Sequence, residues 1–209
     1  MKLIVFGATG GVGREFVQQA VAAGHDVSVF VRTPSKVTTE GVNIIEGDAF
    51  DAQAVAQAIE GHEAVVSCLG TTKGKGAVKN TSIARMGHNI ADGMKAAGVK
   101  RLVYCASAGV FGEIPGVTGK AIMLMLAKPL KDHRNALNYL LADPSVVYTI
   151  ARPYSLKDLP LEADYAEAFE GVPTTSYAIP RASVAHFMVK SLEDEAYYNQ
   201  AVGLASAHK

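Results

Sequence analysis

Leu3-Ile4-Val5-Phe6-Gly7-Ala8-Thr9-Gly10-Gly11-Val12-Gly13 is the stretch that decides the fold. Its four apolar residues run on without alternation, as in a strand buried on both faces. Glycines at a Gly-x-x-Gly-x-x-Gly spacing follow, and then the period changes to that of a helix. Residues 13–23 place Phe16, Val17, Ala20 and Val21 on one face. The same pair of patterns recurs outward along the chain. Short apolar runs stand at 27–31, 42–45, 64–69, 101–105 and 146–151. Helical segments stand at 52–59 and 81–97, with Asp51 placed to cap the first and Gly98 to stop the second. Strand, helix and strand in alternation imply parallel pairing through right-handed crossovers. The expected fold is therefore α/β: a doubly wound parallel sheet in one domain, residues 1–209. Beyond Pro153 the rhythm breaks at Pro160, Pro173 and Pro180. One more helix is expected at 182–192 and one more strand at 201–204. Residues 153–200 are expected to form a lid or substrate-side wall over the C-terminal edge of the sheet, where ligands bind in this architecture.

Composition narrows the function classes. The chain has 209 residues, with Lys plus Arg and Asp plus Glu both at 20, so its formal net charge is zero. Such a chain has no global basic field to draw it onto nucleic acid or anionic lipid. Hydrophobic residues make up 49% and charged residues 19%, which fits a well-buried core rather than disorder. No apolar run approaches the length of a membrane span. Cys68 and Cys105 do not suggest a disulfide framework, so a reducing, cytoplasmic setting is expected. The histidines lack metal-ligand spacing, and no metal site is expected. Cys105 reads as a buried filler, and the run Met123-Leu124-Met125-Leu126 as core or pocket wall.

Each glycine of the opening motif has a physical role. Gly7 permits a tight turn, Gly10 and Gly11 let amides approach a pyrophosphate, and Gly13 lets helix and strand meet closely. The helix that follows offers open N–H groups and a positive dipole end. About twenty residues on, a site for NAD would place Asp or Glu against the ribose 2′-hydroxyl. Arg32 stands there instead, with Ser35 and Lys36 after it. A guanidinium, an ammonium and hydroxyls suit a 2′-phosphate, so NADP(H) is expected over NAD(H). Asp48 suits either an adenine amino group or the turn before the 52–59 helix. Leu69-Gly70-Thr71 would let a dinucleotide pass close to the backbone. The basic, glycine-rich stretch 72–76 reads as a closing loop.

Together Gly7 to Gly13, Val31-Arg32, Gly47-Asp48, Leu69-Gly70-Thr71 and Cys105-Ala106-Ser107-Ala108 resemble the atypical short-chain dehydrogenase/reductases. The chain is most similar to their NADPH-dependent flavin reductase and biliverdin-IXβ reductase group, with NmrA-like relatives. Lys131-Asp132-His133-Arg134, Arg152-Pro153-Tyr154 and Ala185-His186-Phe187-Met188 fit that group too. The resemblance implies that Gly7, Thr9, Gly10, Gly11 and Val12 hold the pyrophosphate and that Arg32, Ser35 and Lys36 hold the 2′-phosphate. It puts Asp48 and Ala49 beside the adenine and Leu69 and Gly70 along the middle of the cofactor. Cys105 and Ser107 would lie near the nicotinamide, His133 would face the active site, and Pro153, Tyr154 and Ser155 would pack along the nicotinamide and substrate pocket. The group's animal members carry His where Tyr154 stands, a departure that bears on the substrate rather than the cofactor.

The Tyr-x-x-x-Lys pair of ordinary short-chain dehydrogenases is missing. Tyr139 is followed four residues later by Asp143, and Tyr154 by Asp158. Alcohol oxidation by a lysine-assisted phenolate is therefore not expected. Flavins, quinones and linear tetrapyrroles need little side-chain acid. The expected activity is hydride transfer from NADPH to a flavin, biliverdin or a quinone, with flavin a substrate and not a tightly held cofactor. Ser107 is the first candidate to orient the carboxamide or polarise the acceptor, and His133, with an ordinary pKa near neutrality, a candidate proton donor. A non-catalytic NADP(H)-binding redox sensor of NmrA type is the alternative, and a sugar-nucleotide epimerase a third. Partners are expected to be small molecules, with the protein a monomer or a dimer.

Overall fold

The computed structural model describes residues 1–70 and 82–207. The glycine-rich stretch 72–76, with Thr71 and Thr81, lies outside them. The strands are β1 (Lys2–Phe6), β2 (Asp26–Val31), β3 (Asn43–Glu46), β4 (Ala64–Ser67), β5 (Arg101–Cys105), β6 (Val147–Pro153), β7 (Ser155–Lys157), β8 (Ala166–Ala168), β9 (Ala178–Pro180) and β10 (Gln200–Ala205). The helices are α1 (Gly11–Ala22), α2 (Ala52–Ile59), α3 (Ser82–Ala97), α4 (Gly116–Met125), α5 (Ala127–Leu140) and α6 (Arg181–Lys190). The main sheet has eight strands in the order β3-β2-β1-β4-β5-β6-β10-β8. Pairing is parallel from β3 to β10. The order reverses between β1 and β4, which opens a crevice at the C-terminal ends of those strands.

The continuous apolar runs are explained by two cores. Leu3 and Val5 belong to one, Ile4 and Phe6 to the other, because successive side chains point to opposite faces. α1 and α6 cover the first face, through Phe16, Val17, Phe187 and Met188. α2, α3 and α5 cover the second, through Ile59, Ile90 and Leu137. Asp51 caps α2 by accepting from the amides of Gln53 and Ala54 at 3.0 and 3.1 Å. Gly98 follows α3 at φ +69°, the left-handed conformation that ends helices.

Two features add to the expected parallel sheet, and one expectation needs correction. The last strand of the sheet, β8, runs antiparallel to β10, an edge that no helical crossover has to reach. A separate parallel pair, β7 with β9, forms the proline-broken region. Within the 123–126 run, Leu124 is 79% and Met125 76% exposed, so those two are neither core nor pocket wall. α4 lies at the rim and turns that face outward, leaving Met123 and Leu126 partly buried.

Candidate functional site

A cleft of about 570 Å³ opens at the C-terminal ends of β1, β2, β4 and β5. Phe6, Gly7, Cys68, Leu69, Gly70, Cys105 and Ala106 line its floor, and Thr9, Gly10, Gly11 and Val12 one wall. The turn between β1 and α1 is built by its glycines. Gly7 has φ +80°, and a Cβ on it would stand 2.6 Å from the Cys68 carbonyl carbon and oxygen. The Gly10 amide donates to the Gly7 carbonyl at 3.0 Å and closes the turn. A Cβ on Gly13 would stand 2.2 Å from the same carbonyl oxygen, so only glycine lets α1 seat so close to the strand end.

The start of α1 differs from that of α2. No side chain caps it, and its first turn holds no acidic residue. The first amides of a helix lack partners within it, so here they stay open beside the cleft. That donor set fits an anionic diphosphate. At the near end of the cleft stand Arg32, Lys36, Gly47, Asp48, Ala49 and Phe50, over Phe30 and Val31. Arg32 and Lys36 are exposed, as cations that meet a mobile ligand can be. The Asp48 carboxylate accepts from the Phe50 amide at 3.0 Å, so the residue both braces the turn and lines the cleft.

At the far end the cleft is closed by Met86, Cys105, Ala106, His133 and Leu156, while Arg181 lines it at the glycine turn, against Gly11. Burial pushes the Cys105 thiol up to about 12, which leaves it protonated and packed, as a filler. His133 stands mid-way along α5, is 8% exposed, and has Nδ1 2.9 Å from the Tyr104 hydroxyl. Burial lowers its pKa to about 4, because the imidazolium loses its hydration. The ring is therefore neutral at pH 7, which corrects the expectation of an acid titrating near neutrality. Its neighbour Asp132 is committed elsewhere. The carboxylate accepts from the amides of Ile83 and Ala84 at 2.9 and 3.2 Å and caps α3 from another helix.

Of the residues expected from sequence, Gly7, Thr9, Gly10, Gly11, Val12, Arg32, Lys36, Asp48, Ala49, Leu69, Gly70, Cys105 and His133 meet along this one cleft. Ser35, Ser107, Pro153, Tyr154 and Ser155 are not among its lining. Ser35 is exposed one residue before Lys36. The Ser107 hydroxyl donates to the Ala108 carbonyl at 3.2 Å, one residue beyond the lining Ala106. Tyr154 is buried in a small separate cluster with Ala108, Ile114, Val172 and Ala205, edge-on to Tyr177. Pro153 ends β6, where its carbonyl accepts from Ala108, and Ser155 begins β7. Sequence reasoning missed Phe30, Phe50, Cys68, Met86, Leu156 and Arg181. The last two come from the β7–β9 region, and no local pattern announced that they return to the glycine turn.

A family model described as NAD(P)H-binding matches residues 7–195. The chain belongs to that family. Its fold is the Rossmann fold of NAD(P)-binding proteins. It is 27% identical over 154 residues to the photosystem II assembly factor Ycf39 of Synechocystis, a match to 72% of this chain and 43% of that one. The chain matches less than half the length of each of the first curated relatives. Among solved structures, a short-chain dehydrogenase/reductase from Veillonella parvula in complex with NADP shares the fold at a TM-score of 0.79 and 22% identity, over 98% of this chain and 94% of that one. ChuY, an anaerobillin reductase from Escherichia coli O157:H7, does so at 0.80 and 21%, over 99% and 97%. No described helix is long and apolar enough to cross a membrane.

Proposed function

We propose that this protein is an NADPH-dependent reductase that passes hydride to a flavin or a similar conjugated acceptor, such as biliverdin or a quinone. One observation carries the reading. A single cleft joins exposed cations, an uncapped helix start and a far end of apolar and neutral groups. Arg32 and Lys36, with Ser35 beside them, would hold the 2′-phosphate, a group of nearly two negative charges that favours NADPH over NADH. The amides of Gly11 and Val12 would hold the pyrophosphate, and Asp48 and Ala49 would border the adenine. Leu69 and Gly70 would flank the middle of the dinucleotide. Bound there, the cofactor supplies a hydride at the nicotinamide ring. Cys105 and Ala106 would floor that ring, and Leu156, Met86 and the neutral His133 would exclude water from the acceptor. A conjugated acceptor takes its proton from water, so a site without a titrating acid suffices. The solved neighbours include an NADP complex and a reductase, which agrees with this reading.

A second reading is an NADP(H)-binding redox sensor without turnover. The exposed apolar residues Val117, Leu124 and Met125 on α4 favour it, as does a relative named as an assembly factor. One assay separates the two. Purified protein is given NADPH or NADH with FMN, FAD, riboflavin, biliverdin or simple quinones, beside an Arg32→Ala variant. The reductase reading expects acceptor-dependent oxidation of NADPH, and about tenfold or greater weakening of NADPH but not NADH in the variant. No turnover with any acceptor supports the sensor. Equal or tighter binding of NADH removes the NADP(H) preference.

A further inference from the structure

Arg181 opens α6, far along the chain from the glycine turn, yet it lies on that turn. A Cβ added to Gly11 would stand 2.5 Å from Arg181 Nε and 2.6 Å from its Cδ, so the arm of the side chain is packed flat on the glycine. Two contacts bring it there. Gln19 of α1 donates to the Ala182 carbonyl at 3.0 Å and ties the start of α6 to α1. In the β7–β9 pair Lys157 stands opposite Pro180, so Asp158 and Arg181 leave the ladder side by side. Their side chains meet, Nη1 donating to Asp158 Oδ1 at 2.6 Å.

This placement sets a cation at the positive end of the α1 dipole, with Asp158 as its ion-pair partner among the described residues. The N-terminus of a helix carries partial positive charge, which attracts anions and repels cations. α1 has no capping side chain and no acidic residue in its first turn. A guanidinium is nonetheless seated on its first residue. Asp158 compensates weakly, because its side chain is 90% exposed and the pair is screened by water. A guanidinium has five N–H donors in a planar fork. Only Nη1 makes a hydrogen bond among the described residues. A diphosphate seated at the open amides of α1 would supply the missing negative charge to both groups at once.

We propose that Arg181 is a pyrophosphate ligand of the dinucleotide, supplied by the C-terminal region, with Asp158 holding its arm over the turn. This inference rests on the dinucleotide reading of the cleft and goes beyond it. The residue joins cofactor binding to the acceptor side, because Leu156 of β7 lines the same cleft and β7 pairs with the β9 strand that leads into Arg181.

Wild type, Arg181→Ala and Arg181→Lys are titrated calorimetrically with NADPH and with adenosine 2′-monophosphate, which has the 2′-phosphate but no pyrophosphate. Melting without ligand checks that each variant folds. Losing a charge-assisted contact should weaken NADPH by about 10- to 100-fold in Arg181→Ala. Adenosine 2′-monophosphate should stay within about twofold, and lysine should recover part of the loss as a point charge without the fork. Unchanged NADPH affinity in a folded Arg181→Ala, or equal weakening of both probes, overturns the role of Arg181 alone. A wild-type protein that binds neither probe overturns the dinucleotide reading itself.

Discussion

Gly13→Ala tests the packing of the glycine turn against the ordinary rule for helices. Inside a helix, alanine is about 1 kcal/mol more favourable than glycine. Gly13 is helical and has no positive φ, so propensity alone predicts a more stable protein. The structure predicts the reverse. The new Cβ would stand 2.2 Å from the Gly7 carbonyl oxygen, 2.9 Å from its carbon and 3.0 Å from the Ala8 Cα. All three are backbone atoms, so no side chain can swing aside, and α1 must move by about 1 Å to reach ordinary contact. Overpacking of this kind costs about 1–3 kcal/mol. Taking its upper end and subtracting the helix gain leaves about 2 kcal/mol, or a fall of about 4–8 °C in melting temperature for a chain of this size. The same shift carries the amides of Gly11 and Val12 away from the bound pyrophosphate, so NADPH should weaken by about tenfold or more. Gly70→Ala is the control for stability alone, because its Cβ meets nothing within 4 Å among the described residues. Calorimetric melting of the three proteins and NADPH titration of wild type and Gly13→Ala decide the matter. A Gly13→Ala protein that melts at or above wild type refutes the close approach of α1 to the turn.

Three further outcomes are expected. His133 has a folded pKa of about 4 against about 6.5 unfolded, so the unfolded chain is the better proton binder. Its contribution is present above pH 6.5 and lost as pH falls toward 4, about 3 kcal/mol in all, and His133→Gln should flatten the urea midpoint across that window. Acceptor turnover should show no inflection near neutrality from this residue. Glu113→Ala should destabilise by about 3 kcal/mol in chemical denaturation, because it leaves Arg152, 4% exposed, without the carboxylate 2.7 Å from its Nη1. Ser107→Ala should keep NADPH affinity and acceptor turnover within about twofold of wild type, since its hydroxyl is already used on Ala108. A loss above about tenfold in turnover would return Ser107 to the active site.

Much of this protein is legible along the chain. Leu3 to Phe6 are continuously apolar because both faces of β1 are covered, and the neighbouring strands repeat the pattern. The spacing of Gly7, Gly10 and Gly13 describes a turn closed by the local bond from the Gly10 amide to the Gly7 carbonyl, although the approach of Gly7 to Cys68 is tertiary. Asp51 and Gly98 mark helix ends for the same reason: a cap is a contact within a few residues. The near end of the cleft was legible because Arg32 follows β2 directly and Asp48 stands two residues past the end of β3, and parallel strands end along one edge.

Tertiary structure alone decided the rest. Asp132 caps α3 from α5, across 49 residues of chain to Ile83, and no local pattern encodes that partner. His133 became a neutral buried ring because α5 packs against β5, which desolvated a group that sequence reads as titratable. Leu124 and Met125 look like core residues and face outward, because apolar composition does not say which side of a rim helix meets the protein. Arg181 reached the glycine turn only through the β7–β9 pairing and the seating of α6 on α1. Local sequence sets backbone period and turn chemistry, whereas burial and the meeting of distant side chains depend on how the crossovers pack.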